Sequence, residues 1–146
     1  MARKYANGLF TPKYPEKYLG KGSIKYRSGW EFQFMKMCDE HPAILQWASE
    51  SIRIPYRNPL TGKQTIYVPD FFVVFSDKTG KQNVELIEVK PSNQTHKEKV
   101  GKSQYNQAQW VVNQAKWEAA RNWCKQQGIK FRIVTENELY HNGKRR

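Results

Sequence analysis

Three charged residues lie inside two neighbouring apolar segments of the chain. Asp70 follows a proline in "YVPDFFVVF", and Glu88 and Lys90 close the segment "VELIEVKP". Between the two segments, "SDKTGKQN" carries aspartate and glycine at the first and fourth positions of a common type I turn. The pattern therefore predicts two antiparallel strands, with charged residues in strands that are otherwise apolar.

The register of this hairpin decides whether the three charges meet. A turn centred near residue 79 sets Asp70 opposite Glu88, and directly opposed residues have Cβ atoms about 4.5 to 5.5 Å apart. Glu88 and Lys90 share a face because side chains two apart in a strand point the same way. Pro69 cannot donate a ladder hydrogen bond, which predicts a bulge or an edge that re-aims Asp70. We expect one convergent site.

Opposed carboxylates are suited to a divalent cation. Mg²⁺ prefers oxygen ligands and is typically held by one or two carboxylates together with substrate phosphates. The bound ion polarises a phosphodiester and lowers the pKa of water, while Lys90 is a candidate to orient that water or offset developing charge. The pattern favours a phosphodiesterase site that uses Mg²⁺, with Mn²⁺ as a substitute. The alternative is that Asp70 and Glu88 are separately solvated and Lys90 pairs with one of them.

Composition limits the class of protein. The 146 residues fit one domain, and 25 Lys and Arg against 13 Asp and Glu give a net charge of +12, which predicts a polyanionic partner such as DNA. The apolar runs are far shorter than the roughly 20 residues of a membrane span, so we expect no membrane partner. Cys38 and Cys124 have apolar neighbours, which predicts buried reduced thiols. No pattern indicates a small-molecule cofactor.

The positive charge is concentrated in particular segments. Residues 1–28 are basic and aromatic, and we interpret them as an arm outside the core whose cations meet phosphates; the alternative is a solvated basic tail. Residues 29–140 are predicted to form a single nuclease core domain, and residues 141–146 a basic tail. The candidate DNA-binding cations are Lys13, Lys17, Lys21, Lys25, Arg27, Lys97, Lys99, Lys102 and Lys116.

The order of predicted elements is helix, three strands, helix, strand. A first helix spans residues 29–40 with Ser28 as its N-cap, and a second, long helix ends at Gly128. The predicted strands are "ESIRIPYRN", "QTIYVPDFFVVF" and "VELIEVK", which form a meander, and "IKFRIV" after the second helix. This order predicts an α/β fold with a mixed sheet flanked by helices, in which the last strand is parallel to its neighbour.

The quoted segments resemble a known family. "VPDFFV" followed by "LIEVKP" resembles the bipartite motif of the PD-(D/E)XK nuclease superfamily, and residues 28–91 are similar to the transposon-type endonuclease subunit and to the head-completion nucleases of tailed bacteriophages. The resemblance implies a restriction-endonuclease-like core. It also implies that Asp70 and Glu88 bind Mg²⁺ and that Lys90 assists hydrolysis.

The resemblance implies a further acid on the first helix, at Glu31. This residue shares a helix face with Phe34 and Cys38, and a buried acid there either binds a metal beside Asp70 or completes a capping box with Ser28. Both roles stay open on the sequence alone. Glu50 is a substitute acid near the first predicted strand.

The second helix carries polar candidates as well. The resemblance implies a polar residue near the metal or phosphate, for which Gln114 and Lys116 are candidates. Trp110, Trp117 and Trp123 on the same helix are interpreted as packing residues and not as platforms for bases.

The function expected from the resemblance is a DNA nuclease that acts on packaged DNA before head-tail joining. Its partners would be phage head or portal and neck proteins, and its location the cytoplasm of a bacterial host or the virion. One alternative is a transposase-like or junction-resolving endonuclease. Another is a non-catalytic DNA-binding assembly factor, against which the intact set of Asp70, Glu88 and Lys90 counts.

Overall fold

A computed structural model describes residues 7–138, and the predicted tail at 141–146 lies outside the described residues. In chain order the elements are β1 (Gly8–Phe10), β2 (Ile24–Tyr26), α1 (Gly29–Glu40), β3 (Ile44–Ser49), β4 (Ile54–Arg57), β5 (Gln64–Tyr67), β6 (Phe71–Ser76), β7 (Gln82–Val89), α2 (Gln104–Gln127) and β8 (Lys130–Val134). Short 3-10 turns lie at Pro15–Lys17, Ser92–Gln94 and Lys97–Lys99.

The main sheet has the strand order β3-β6-β7-β8. β6 is antiparallel to both β3 and β7, while β8 is parallel to β7 after the crossover through α2. Side chains alternate between two cores: Phe71 and Ile87 pack in the cluster that contains residues of α1, and Phe72 and Leu86 in the cluster that contains residues of α2. The α/β class and the mixed sheet flanked by helices are confirmed.

The identity of the strands differs from the prediction. The segment predicted as one strand, residues 64–75, is two strands, and β5 pairs with β4 in a separate two-stranded sheet. The break falls at Pro69, whose missing N–H ends the ladder and whose side chain is fully buried. The outer place of the meander is taken by β3, which the sequence pattern had not indicated as a strand.

The N-terminal segment also needs a correction. β1 and β2 form an antiparallel hairpin, and Phe10 and Ile24 are buried in the same core cluster as Phe34 and Trp47. The interpretation of this segment as an arm outside the core is therefore wrong for the described residues that pack there. The apolar side chains of this segment are widely spaced among basic residues, so the sequence pattern did not predict that they reach the core. The boundaries at residues 28 and 140 stay predictions.

Both helices have the predicted ends. The Ser28 hydroxyl accepts a hydrogen bond from the N–H of Glu31, and Gly128 has a left-handed φ of 73°. Cys38 and Cys124 are buried free thiols, as expected. Within residues 7–138, neither helix combines the length and the apolar composition that a membrane crossing needs.

The β6–β7 turn generates a prediction about pH. The Asp77 carboxylate accepts hydrogen bonds from Thr79 and Asn83, which lower its pKa to about 2. A folded-state pKa below the usual value means that stability is gained above about pH 4 and lost as the pH falls towards 2. We expect Asp77→Asn to lower the free energy of unfolding at neutral pH, with a difference from the wild type that narrows below about pH 4.

Urea titrations at a series of pH values measure this difference. Glu118→Gln is the matched control, because the Glu118 side chain is exposed and its carboxylate forms no hydrogen bond or ion pair within the described residues. A destabilisation of Asp77→Asn that stays constant from neutral pH down to pH 3 would contradict the assigned role of the carboxylate.

Candidate active site

The hairpin register brings the two predicted acids together. The pairs Phe71↔Ile87 and Phe72↔Leu86 follow the register predicted from the turn, and continuing it by one residue sets Asp70 opposite Glu88. The predicted register is confirmed for β6 and β7. Asp70 lies directly before β6, where the chain has just left the β4–β5 sheet, which we call the small sheet. The β6–β7 hairpin and the break at Pro69 together fix the position of Asp70.

The Asp70 carboxylate is held by the backbone of the facing strand. Its Oδ2 accepts a hydrogen bond from the N–H of Val89 at 2.8 Å, and its own carbonyl accepts one from the N–H of Glu50 at 2.9 Å. Burial raises the pKa of Asp70 well above its usual range, and the nearby charges of Glu88 and Glu31 raise it further. The carboxylate is thus aimed and partly dehydrated.

Glu88 is the buried member of the pair, with 7% of its surface exposed. Burial raises its pKa, while Lys90 and a hydrogen bond from Tyr67 act in the opposite direction. The Tyr67 hydroxyl donates to Oε1 at 2.6 Å, and the Lys90 ammonium lies 3.5 Å from Oε2. Each oxygen of Glu88 therefore has its own partner, which fixes the plane of the carboxylate.

Two lysines face this pair of acids. Lys90 pairs with Glu88, so Glu88 and Lys90 do share a face, as strand periodicity predicted. Lys116 on α2 places its ammonium 5.7 Å from the centre of the Tyr67 ring. Burial and then the charge of Lys90 lower the pKa of Lys116, while Glu88 and Asp70 oppose that change. The structure thus brings Lys116 to the site. The side chain of Gln114 forms no hydrogen bond within residues 7–138.

Glu31 has the contacts of a helix cap and also approaches the acids. Its backbone N–H donates to Ser28 Oγ, and its Oε1 accepts from the N–H of Arg27 at 3.0 Å. Burial raises the pKa of Glu31, with smaller contributions from Glu50 and Glu88. Among residues 7–138, no three acids, histidines or cysteines are gathered tightly enough to form a metal site unaided. A ligand role for Glu31 stays a prediction.

Glu50 is a strained neighbour of the site. It adopts a left-handed φ of 51°, a conformation that costs a non-glycine residue of the order of 1 kcal/mol or more. Its carboxylate is occupied by an ion pair with the guanidinium of Arg27. The left-handed conformation directs the Glu50 N–H to the carbonyl of Asp70, and the ion pair engages one carboxylate oxygen, Oε2 of Glu50. This arrangement supports the backbone of the site.

The predicted DNA-binding cations fall into separate places. Lys21, Lys25 and Arg27 line a groove of about 310 Å³ that also contains Glu50. Lys99 shares a second cleft with Lys90. The other predicted cations do not share one surface with these. Lys13 pairs with Glu40, and the ammonium of Lys17 donates to the carbonyls of Asp39 and His41. Lys97 and Lys102 are exposed.

Tyr67 is a site residue that the sequence reasoning missed. It lies in β5, a strand of the small sheet, and reaches Glu88 only because the chain bends back at Pro69. A signal existed, since a tyrosine in a strand that precedes a buried acid is expected to find a partner for its hydroxyl. The pairing itself depends on the tertiary fold.

The donor set fits a hard divalent cation. Two facing carboxylates whose pKa values are both raised by burial and, for Asp70, by the charge of Glu88 would gain stability from a positive ion between them. Two carboxylates are also the protein share that Mg²⁺ typically takes when a phosphate and water complete its shell. Asp70 and Glu88 are the residues that could hold the ion.

Comparison with known proteins shows similarity to nucleases over most of the chain. Residues 41–136 match the family model described as the TnsA-like endonuclease N-terminal domain, which includes β3, both acids, Lys90, α2 and β8. The chain is also 36% identical over 143 residues to the head completion nuclease of Enterobacteria phage T4, a match that covers 91% of this chain and 93% of that protein. The restriction-endonuclease-like fold expected from the sequence is therefore supported over most of the chain.

The bond between Tyr67 and Glu88 leads to a stability prediction. Tyr67→Phe removes the donor and leaves one oxygen of a buried acid without its partner, so we expect the free energy of unfolding to fall by about 1 to 3 kcal/mol. Equilibrium unfolding in denaturant at neutral pH measures the loss.

Tyr56→Phe provides the matched control. Tyr56 is buried in the same cluster as Tyr67, and its hydroxyl forms no hydrogen bond within residues 7–138. We expect this variant to stay within about 0.5 kcal/mol of the wild type. Equal losses in the two variants would show that the hydroxyl of Tyr67 does not support Glu88.

Proposed function

The chain belongs to the TnsA-like endonuclease family of PD-(D/E)XK nucleases, and on this basis we propose that it is a Mg²⁺-dependent deoxyribonuclease. The observation that carries the proposal is the meeting of Asp70, Glu88 and Lys90 at one point of the sheet, inside the segment that matches the family. The net charge of +12 supports DNA as the substrate.

The carboxylate of Asp70, that of Glu88, or both would bind the ion. When bound, Mg²⁺ supplies Lewis-acid polarisation of a phosphodiester and activation of water at neutral pH. To bind an ion the two acids have to present their oxygens in fixed positions. The hydrogen bond from the N–H of Val89 to Asp70 and the one from the Tyr67 hydroxyl to Glu88 hold the two carboxylates in place. Mn²⁺, with similar oxygen preferences, would substitute.

Lys90 has the position of an electrostatic stabiliser. Its ammonium lies against Glu88 and is only partly exposed, so its charge is little screened by water. We assign it to orient the attacking water or to offset negative charge that develops on the phosphate. Lys116, half-buried and with a lowered pKa, adds a second cation on the same side of the site.

The biological role follows from the relative and is part of the proposal. A match at 36% identity over nearly the whole of both chains supports the same role as that relative, a head completion nuclease. We propose that the protein acts on packaged DNA before head-tail joining, with phage head or portal and neck proteins as partners. Its location would be the host cytoplasm and then the virion.

Cleavage assays test the activity directly. We expect the purified protein to cut DNA with Mg²⁺ or Mn²⁺ and not in EDTA, and Asp70→Asn to abolish cleavage. Lys90→Ala should reduce the rate about a hundredfold or more, by analogy with the loss of one preorganised stabiliser. Linear, circular and four-way-junction substrates are compared, because the family match also covers transposase-like endonucleases.

Asp77→Asn is the control for loss of an acid, since Asp77 lies in the exposed turn at the far end of β6 and β7. It should cut at the wild-type rate, and circular dichroism should show that all variants are folded. Full activity of Asp70→Asn would overturn the site. Cleavage confined to junctions would favour the resolvase alternative, and metal-independent binding without cleavage the assembly factor.

A pair of variants separates the two roles of Glu31. Glu31→Gln keeps an oxygen that accepts the Arg27 N–H but loses the charge, whereas Ser28→Ala removes the cap and keeps the acid. If Glu31 helps to bind metal, Glu31→Gln loses activity with near-native stability, and the Mg²⁺ concentration for half-maximal activity rises. Ser28→Ala should lose about 0.5 to 2 kcal/mol of stability and keep its activity. Unchanged metal dependence in Glu31→Gln would leave only the capping role.

A further inference from the structure

A cleft of about 320 Å³ opens beside Lys90, between the segment that follows β7 and the first turns of α2. Its volume is at the lower end of the range of about 300 to 1,000 Å³ found for small-molecule sites. Hydrogen bonds hold both walls of the cleft in place. Asn106 Nδ2 and Gln107 Nε2 bond to the carbonyls of Val100 and Gly101, and Glu136 bonds to Ser92.

Two aromatic rings line this cleft. Tyr105 is 71% exposed, and Trp110 is partly exposed and belongs to neither core cluster. The interpretation of the helix tryptophans as packing residues is confirmed for Trp117 and Trp123, which pack in the α2 core, and is wrong for Trp110. Rings held at the surface beside a phosphodiesterase site are typical platforms for stacking of nucleobases.

Two of the side-chain amides that line the same space, those of Gln109 and Asn113, have no hydrogen-bond partner within residues 7–138. Asn113 has only 5% of its surface exposed, yet its side chain forms no hydrogen bond within residues 7–138. Gln109, one turn earlier on α2, has none either. Among residues 7–138 the fully buried unpaired polar atoms are the indole nitrogens of Trp47 and Trp117, so the amides of Asn113 and Gln109 face open space and can meet a ligand in the cleft. Amides carry both donors and acceptors, which matches the edge of a nucleobase.

The charge of the cleft favours a strand of nucleic acid. Lys90 and Lys99 contribute cations, and no acid is among the described residues that line it. A base seated in this cleft would have Tyr105, Trp110 and these two lysines among its surroundings. Lys90 is shared with the acids, so the cleft continues directly from the proposed site of cleavage.

We propose that this cleft, which we name the base cleft, binds an unpaired nucleobase adjoining the phosphodiester that is cut. The inference rests on the proposed nuclease function and deepens it by naming the substrate class. A base within a duplex is stacked on both sides and bonded along its pairing edge, so only an unpaired base offers its faces to the rings and its edge to Asn113. The preferred substrate is DNA with a single-stranded tail.

Binding measurements test the base cleft apart from cleavage. Fluorescence anisotropy compares a blunt duplex with the same duplex carrying a short single-stranded tail, using Asp70→Asn protein in EDTA. We expect tighter binding of the tailed DNA, and a loss of about 5- to 100-fold for it alone in the additional variant Trp110→Ala, as for removal of a base-stacking ring. Tyr14→Ala, an exposed tyrosine outside the cleft, is the matched control.

Two further measurements show whether the tail binds through its bases or its phosphates, and whether Trp110→Ala acts on binding or on folding. A tail built of abasic sites keeps the phosphates, so it should bind no better than the blunt duplex. Trp110→Phe keeps an aromatic ring and should retain tail binding, whereas the quenching of tryptophan emission by the tail should be lost. Equal weakening of blunt and tailed DNA by Trp110→Ala, or full binding of the abasic tail, would overturn the proposal.

Failure of the base cleft is distinguishable from failure of the nuclease proposal. If only the cleft is wrong, the wild type still cuts DNA with Mg²⁺ and Asp70→Asn does not, but neither the tail nor Trp110 affects affinity. If only the nuclease proposal is wrong, no DNA is cut while tail binding still depends on Trp110.

Discussion

The structure depends on keeping two like charges together in a partly dehydrated place. Asp70 and Glu88 repel one another, and burial disfavours the ionised form of each. The fold offsets this cost with a backbone N–H on one acid and with a phenol and an ammonium on the other. A site assembled in this way is destabilised by its own charges and stabilised by a cation, so the protein has a physical reason to bind metal.

Pro69 is where the small sheet and the main sheet meet. Because the chain bends there, the Tyr67 hydroxyl at the end of β5 reaches Glu88, and Asp70 follows Pro69 directly before β6. Neither sheet alone holds the site: β5 of one sheet supplies the hydroxyl that bonds Glu88, β7 of the other supplies Glu88, and Asp70 lies between the two sheets in the chain. The backbone N–H of Glu50, a residue with a left-handed φ, bonds the carbonyl of Asp70 and so fixes the backbone of that acid.

Much of the fold could be predicted from residues that are close together in the sequence. Caps at Ser28 and Gly128 and the turn beginning at Asp77 depend on short-range chemistry, and the hairpin register followed from the turn alone. Contacts distant in the sequence were not accessible. β3 is defined by its pairing with β6, and the role of Tyr67 by a bend in the chain. Helical periodicity sets Trp110 and Trp117 on nearly the same face of α2, yet of these two only Trp117 packs in the α2 core.

The turn that joins β6 and β7 carries no catalytic group, yet its length is constrained by the site at the opposite end of the hairpin. Surface turns usually tolerate inserted or deleted residues. Here one residue more or fewer would shift the pairing, and a shift by one residue rotates every side chain to the other face of the strand. The number of residues in this turn is therefore constrained by the site at the other end of the hairpin, whereas the side chain of Asp77 is constrained locally, by its bonds within the turn.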